Sequence, residues 1–134
     1  MPLVLDASIA ASWYFPDERS EDADRVLDGL EEDSALVPIL WWFEVRNVLI
    51  IGERRRRSTP KMATEFLSWL ASLPILQAEL PDEDKVFAFA RHHQLTFYDA
   101  AYLELAQRES LALATLDQHL AQAARAEGVA LVTS

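Results

Sequence analysis

Four carboxylates interrupt the apolar runs of this chain, and any fold it adopts has to accommodate each of them. Asp6 closes Leu3-Val4-Leu5, and Glu44 stands between Trp41-Trp42-Phe43 and Val45. Asp99 lies between Thr96-Phe97-Tyr98 and Ala100-Ala101-Tyr102-Leu103, and Asp117 follows Leu113-Ala114-Thr115-Leu116. The flanking residues read as core, where an ionised carboxylate without a partner is very costly. Few cations lie near these positions in sequence. The economical solution is a fold in which the four acids converge on a divalent metal ion.

The apolar pattern between the acids alternates short strands with helices. Residues 2–6, 35–38, 74–80, 111–115 and 129–133 read as strands, and the first begins almost at the first residue. Helical spacing covers residues 6–14, ending before Pro16, and then 20–31 through Ala23, Val26, Leu27 and Leu30. The longest helical signal, 39–57, has apolar positions on too many sides for one narrow face, which predicts a central, deeply buried helix. Ser58-Thr59-Pro60 caps a helix over 61–72. Further helices are expected from Pro81-Asp82 to His92 or His93, from Asp99 to about Glu109, and from Asp117 to Glu127, the last closed by Gly128. This alternation predicts an α/β domain with a mainly parallel sheet, formed by residues 1–134 as one unit.

The 134 residues suffice for one real core, and a hydrophobic share of 51% with only three Gly argues against disorder. There is no cysteine, so disulfides and thiolate metal sites are excluded. With only three His, oxygen ligands are the better guess, and these suit Mg²⁺ or Mn²⁺. No targeting segment is visible, and the longest apolar run, 35–43, is too short for a bilayer. The expectation is a soluble cytoplasmic protein with no membrane partner. A net charge of -10 argues against a generic nucleic-acid binder. Yet Arg54-Arg55-Arg56-Arg57 concentrates four of the twelve cations in one run, so a local basic patch is compatible with an acidic body.

Asp6 and Asp117 fall just past expected strand ends, and Asp99 at a helix start. In parallel sheets the carboxyl ends of the strands form the ligand crevice, so three distant acids can meet there. Helix N-capping explains each of these three equally well when taken alone. Glu44 resists that explanation because it lies inside a helix. A buried arginine partner is its bland alternative, but Arg46 points to a different face. Asn47, one turn from Glu44's neighbourhood, is placed to orient the carboxylate or touch substrate, or else is an ordinary exposed amide. Ser8 and Thr115 each lie two residues from an acid; their hydroxyls suit a carboxylate or a metal-bound water, or a local backbone bond. His92, His93 and His119 read as surface or helix-dipole residues. The four Trp read as core or interface.

Val4-Leu5-Asp6-Ala7-Ser8, the 38–49 stretch with Glu44 and Asn47, Tyr98-Asp99-Ala100-Ala101-Tyr102-Leu103 and Ala114-Thr115-Leu116-Asp117 together resemble the PIN-domain ribonucleases. More narrowly, the chain resembles the VapC toxins of type II toxin–antitoxin pairs, over essentially its full length. The resemblance implies a three-layer α/β/α fold with a mainly parallel central sheet. It also implies an endoribonuclease that hydrolyses RNA phosphodiester bonds, in transfer or ribosomal RNA, using Mg²⁺ or Mn²⁺. Asp6, Glu44, Asp99 and Asp117 match its four acids, and Ser8, Asn47 and Thr115 its supporting polar positions. A homodimer neutralised by a VapB-type antitoxin protein is the implied assembly. One departure is Arg56-Arg57 where a glycine often stands.

Four carboxylates in one pocket cannot all ionise without a cation. On this reading Asp6 and Asp99 ligate the principal ion, while Glu44 and Asp117 act through water or a second ion. Two other functions compete. A phosphatase using Asp6 as nucleophile, of the haloacid-dehalogenase type, would need a second Asp where Ser8 stands. A non-catalytic binding module with the same fold would have no need to keep all four acids.

Overall fold

The computed structural model describes residues 2–132. Four parallel strands, β1 (Leu3–Leu5), β2 (Ala35–Val37), β3 (Ile75–Gln77) and β4 (Ala112–Ala114), form one sheet in the order β3-β2-β1-β4. Leu3, Val4 and Leu5 are all buried although successive side chains of a strand point to opposite faces, so helices cover the sheet on both sides. The expected fifth strand, 129–133, contracts to a single parallel bridge between Leu113 and Leu131, and Thr133 lies outside the described residues.

Seven α-helices are described: α1 (Ala7–Tyr14), α2 (Glu21–Gly29), α3 (Ile39–Arg54), α4 (Pro60–Leu70), α5 (Glu83–His93), α6 (Phe97–Glu109) and α7 (Gln118–Ala126). Five of these seven starts, those of α2 and α4–α7, carry a side-chain cap. Ser20, Thr59, Asp82 and Thr96 each accept a hydrogen bond from the backbone N–H three residues on, and Pro60 opens α4. Gly128, with φ of 74°, follows α7 in the left-handed conformation its position requires.

The helix over 39–57 ends three residues early, at Arg54. Arg56 takes the left-handed conformation (φ 57°), and the Arg56 and Arg57 N–H groups donate to the Glu53 and Gly52 carbonyls. This is the closed helix terminus usually built on glycine. Arg57 is then turned inwards: its guanidinium reaches Asp17 and Glu18, both at 2.8 Å, and stacks 3.9 Å from the Phe15 ring centre. One quarter of the arginine run thus holds the α1–α2 connection rather than facing a partner.

Burial corrects the reading of α3 as the central helix. Only Trp41, Val45, Leu49 and Gly52 are buried along it, while Ile39, Trp42, Phe43 and Ile50 are exposed. The central helix is α6, in which every residue from Ala100 to Ala106 is buried. It packs against β1, β4, α5 and α7, so all its sides are covered. Small alanines permit that close approach, whereas the bulky side chains of α3 exceed what one buried stripe can hold. Among the described residues, no helix is long and apolar enough to cross a membrane.

Covering α6 on all sides buries one charge. Glu104 is 2% exposed, and its carboxylate accepts two bonds from Arg108, Nε at 2.9 Å and Nη2 at 3.2 Å. Removing one partner of a buried pair leaves the other uncompensated, at about 3–5 kcal/mol. Arg108 is partly exposed, so Arg108→Ala is expected to destabilise by about 3 kcal/mol, the lower end of that range. The double change Glu104→Leu, Arg108→Met is expected to recover most of this loss in urea unfolding.

Candidate active site

The carboxyl ends of β1 and β4 lie side by side, since Leu5 pairs with Ala114 and the Asp6 N–H donates to the Ala114 carbonyl at 3.0 Å. Each strand leads into an acid: Asp6 directly after β1, and Asp117 three residues beyond β4. This register brings together two residues more than a hundred positions apart. Glu44 arrives from the middle of α3, and Asp99 from the first turn of α6. Together with Ser8 and Asn47 they line one cleft of about 280 Å³, whose other walls are Ala7, Ala11 and Val48.

Asp6 is buried, and its side chain is held by hydroxyls. Thr115 Oγ1 and Ser8 Oγ both donate to Asp6 Oδ2, at 2.6 and 2.9 Å. The same hydroxyls accept from the backbone: the Leu116 N–H donates to Ser8 at 3.0 Å and the Asp117 N–H to Thr115 at 3.0 Å. The turn that carries Asp117 is therefore tied directly to the carboxylate of Asp6. Asp6 occupies the N-cap position of α1 without making a side-chain cap bond, so capping does not account for it. Asp99 does not cap either; Thr96 caps α6 by accepting from the Asp99 N–H. Only Asp117 caps, its Oδ1 accepting from the His119 and Leu120 N–H groups, and it lines the cleft as well.

Among the described residues, no arginine pairs with Glu44. Arg46 donates to the Trp42 carbonyl and stacks over the Trp42 ring. Instead, the Tyr102 hydroxyl donates to Glu44 Oε1 at 2.5 Å. Tyr102 was absent from the sequence-level set of candidate residues, yet it is fully buried and lies one helical turn after Asp99 on α6. That spacing was the available signal: a residue three positions from an acid shares its side of a helix.

The electrostatics are one-sided. Burial raises the Asp6 carboxyl above its ordinary value, opposed by the bonds from Thr115, Ser8 and the Ala7 N–H, with Asp117 adding to the rise. Burial is also the main cause of the raised Glu44 and Asp99 values, and Asp6 pushes both further up. Burial and the charge of Glu44 hold the Tyr102 hydroxyl well above its ordinary range, so it stays protonated and remains a donor. Among the described residues, no Lys or Arg lines the cleft.

These residues fit a hard divalent cation. The acidic donors are all carboxylate oxygens, with the Asn47 amide beside them, as suits Mg²⁺ or Mn²⁺. The four acids share one cleft but are not drawn tightly together. Among the described residues, the only group of three or more His, Asp or Glu whose ligand atoms all lie within 4.8 Å of one another is His92, His93 and Glu127.

Comparison with known proteins agrees with this arrangement. Residues 3–126 match the PIN domain family. The chain is 36% identical over 126 residues to Ribonuclease VapC3 of Pyrobaculum aerophilum, covering 91% of this chain and 94% of that protein. Among solved structures, PAE2754 of Pyrobaculum aerophilum superposes with a TM-score of 0.68 at 28% identity, covering 92% of this chain and 87% of that one. FitAcB of Neisseria gonorrhoeae (TM-score 0.66, 20% identity, covering 98% and 96%) and a toxin–antitoxin complex of Klebsiella pneumoniae (TM-score 0.60, 16% identity, covering 87% of each) share the fold. With a family match over residues 3–126 and a likeness to a VapC ribonuclease over nearly the whole chain, the chain belongs to the PIN-domain family as a VapC-like member.

Proposed function

We propose that this protein is a metal-dependent endoribonuclease toxin that hydrolyses RNA phosphodiester bonds with Mg²⁺ or Mn²⁺, in transfer or ribosomal RNA. The observation that carries this reading is the convergence of Asp6, Glu44, Asp99 and Asp117 on one cleft that, among the described residues, no Lys or Arg lines. A likeness over nearly the whole chain to a protein named as a VapC ribonuclease supports the choice of RNA.

In this reading Asp6 and Asp99 hold the principal ion, and Glu44 and Asp117 act through water or a second ion. The ion, when bound, supplies a water of lowered pKa and neutralises charge developing on the scissile phosphate. The chain's own residues supply placement. Ser8 and Thr115 fix the Asp6 carboxylate, Tyr102 fixes that of Glu44, and Asn47 stands at the cleft wall beside the substrate. Capping ties Asp117 to the rigid start of α7.

The same reading includes a cytoplasmic homodimer neutralised by a VapB-type antitoxin. Its support is the exposed apolar surface of α3. A concavity of about 660 Å³ lined by Leu40, Phe43, Arg46, Ile50 and Tyr98 also includes Glu44, so apolar surface runs to the edge of the acids. Exposed apolar patches of this kind mark protein contacts, and a toxin–antitoxin complex is among the proteins that share the fold.

Asp6→Asn and Asp99→Asn are each expected to reduce RNA cleavage at least about a hundredfold and to weaken Mn²⁺ binding in calorimetry, with circular dichroism unchanged. EDTA should abolish cleavage by the unaltered protein. An Asn variant cleaving at the normal rate would overturn the ligand assignment. Tyr102→Phe removes only the group that orients Glu44. Its expected cost is about tenfold to a hundredfold in cleavage rate, smaller than the loss expected for Asp6→Asn.

The pH dependence follows from the raised carboxyl values. A group whose folded-state pKa lies above its unfolded value contributes stability that is complete below the unfolded value and is lost as pH rises through the folded one. For Asp6 this loss begins above its ordinary value of 3.8. In EDTA, the thermal midpoint of Asp6→Asn should therefore gain on that of the unaltered protein as pH rises from about 4 through the raised Asp6 value, and the gain should level off above it. Saturating Mg²⁺ should narrow the gap. Parallel midpoint-against-pH curves for the two proteins would contradict the raised value.

A further inference from the structure

We propose that His92, His93 and Glu127 form a second cation site, one for a Zn²⁺-class ion, separate from the carboxylate cleft. Their ligand atoms lie within 4.8 Å of one another, the tightest such grouping among the described residues. His93 Nε2 stands 2.6 Å from Glu127 Oε2, and the His92 and His93 rings pack edge to face with centres 4.6 Å apart. Two imidazoles and a carboxylate suit Zn²⁺ and its neighbours, whereas Mg²⁺ prefers oxygen alone.

Geometry and charge both favour the ion. In a tetrahedral site with bonds of about 2.0–2.2 Å, ligand atoms stand about 3.3–3.5 Å apart. The His93–Glu127 contact need open by less than about 1 Å, and the remaining separations need only contract modestly. His92 and His93 end α5, and Glu127 is the C-cap of α7. Two helix C-termini, each carrying partial negative charge, therefore meet at this point. Arg91, the adjacent cation, lies over the Phe87 ring 4.9 Å from its centre. The side chains of His93 and Glu127 are 11% and 25% exposed, while His92 is exposed and leaves a path for the ion.

Binding would replace the hydrogen bond between His93 and Glu127 with two bonds to the ion, each group donating a lone pair. The consequence lies in α7. Asp117 caps its first turn, and this site would clamp its other end to α5. The ion is thus a staple on the helix that carries one of the four acids, and its existence does not depend on the nuclease reading.

The test is calorimetric titration of untagged protein with Zn²⁺ in excess Mg²⁺, which occupies oxygen ligands but not imidazoles. One equivalent should bind and raise the thermal midpoint. His92→Ala, at an exposed position, and Glu127→Gln should each weaken binding at least about tenfold, whereas Asp6→Asn should leave it unchanged. Absence of binding, binding indifferent to His92→Ala, or binding lost in Asp6→Asn instead would each overturn the proposal.

Discussion

The hydrogen bond from Thr115 to the buried carboxylate of Asp6 spans 109 positions of sequence, and the rest of the site depends on it. Placing a carboxylate at the end of a buried strand is costly unless hydrogen bonds compensate. Here the compensation comes from two hydroxyls, Ser8 and Thr115, that also accept from the backbone leading into α7. A residue that could have destabilised the sheet edge thereby sets the position of Asp117 relative to Asp6. The parallel pairing of β1 with β4 brings these partners into range.

The second support is α6. Its N-terminal turn carries Asp99, its next turn delivers Tyr102 to Glu44, and two residues further on stands the buried Glu104 with its Arg108 partner. One fully covered helix therefore positions two of the four acids and is itself anchored by an ion pair. The arrangement concentrates like charge, which raises carboxyl pKa values and costs stability until a cation balances it. On the proposed reading, the same concentration of like charge that costs stability is what would favour a divalent cation.

Much of this was legible in the sequence for local reasons. Strands β1, β2 and β4 are short apolar runs bounded by polar residues. Capping residues mark the starts of α2, α4, α5, α6 and α7, and Gly128 marks where α7 has ended. The four acids stood out because charge inside an apolar run is improbable without a use. The places that could not be read were those decided by neighbours. α3 carries more apolar surface than α6, yet α6 is the buried helix, because periodicity cannot say which surface another element will cover. Arg56 in a glycine-like conformation concealed the true end of α3. Val129 to Leu131 had the composition of a strand, but its pairing was reduced to one bridge.

By itself the sequence determined the α/β alternation and the identity of the acids, since both rest on local periodicity and on residue chemistry. It could not decide between cap and ligand for Asp6, Asp99 or Asp117, because a cap is a local bond and a shared cleft is not. Only the tertiary structure separated them: Asp6 and Asp99 make no cap bond with their side chains, while Asp117 both caps and lines the cleft. Tyr102 as the partner of Glu44, and the meeting of His92 and His93 with Glu127, likewise required the packed chain. Each joins residues more than thirty positions apart, and contacts at that separation are set by strand register and helix packing rather than by the residues themselves.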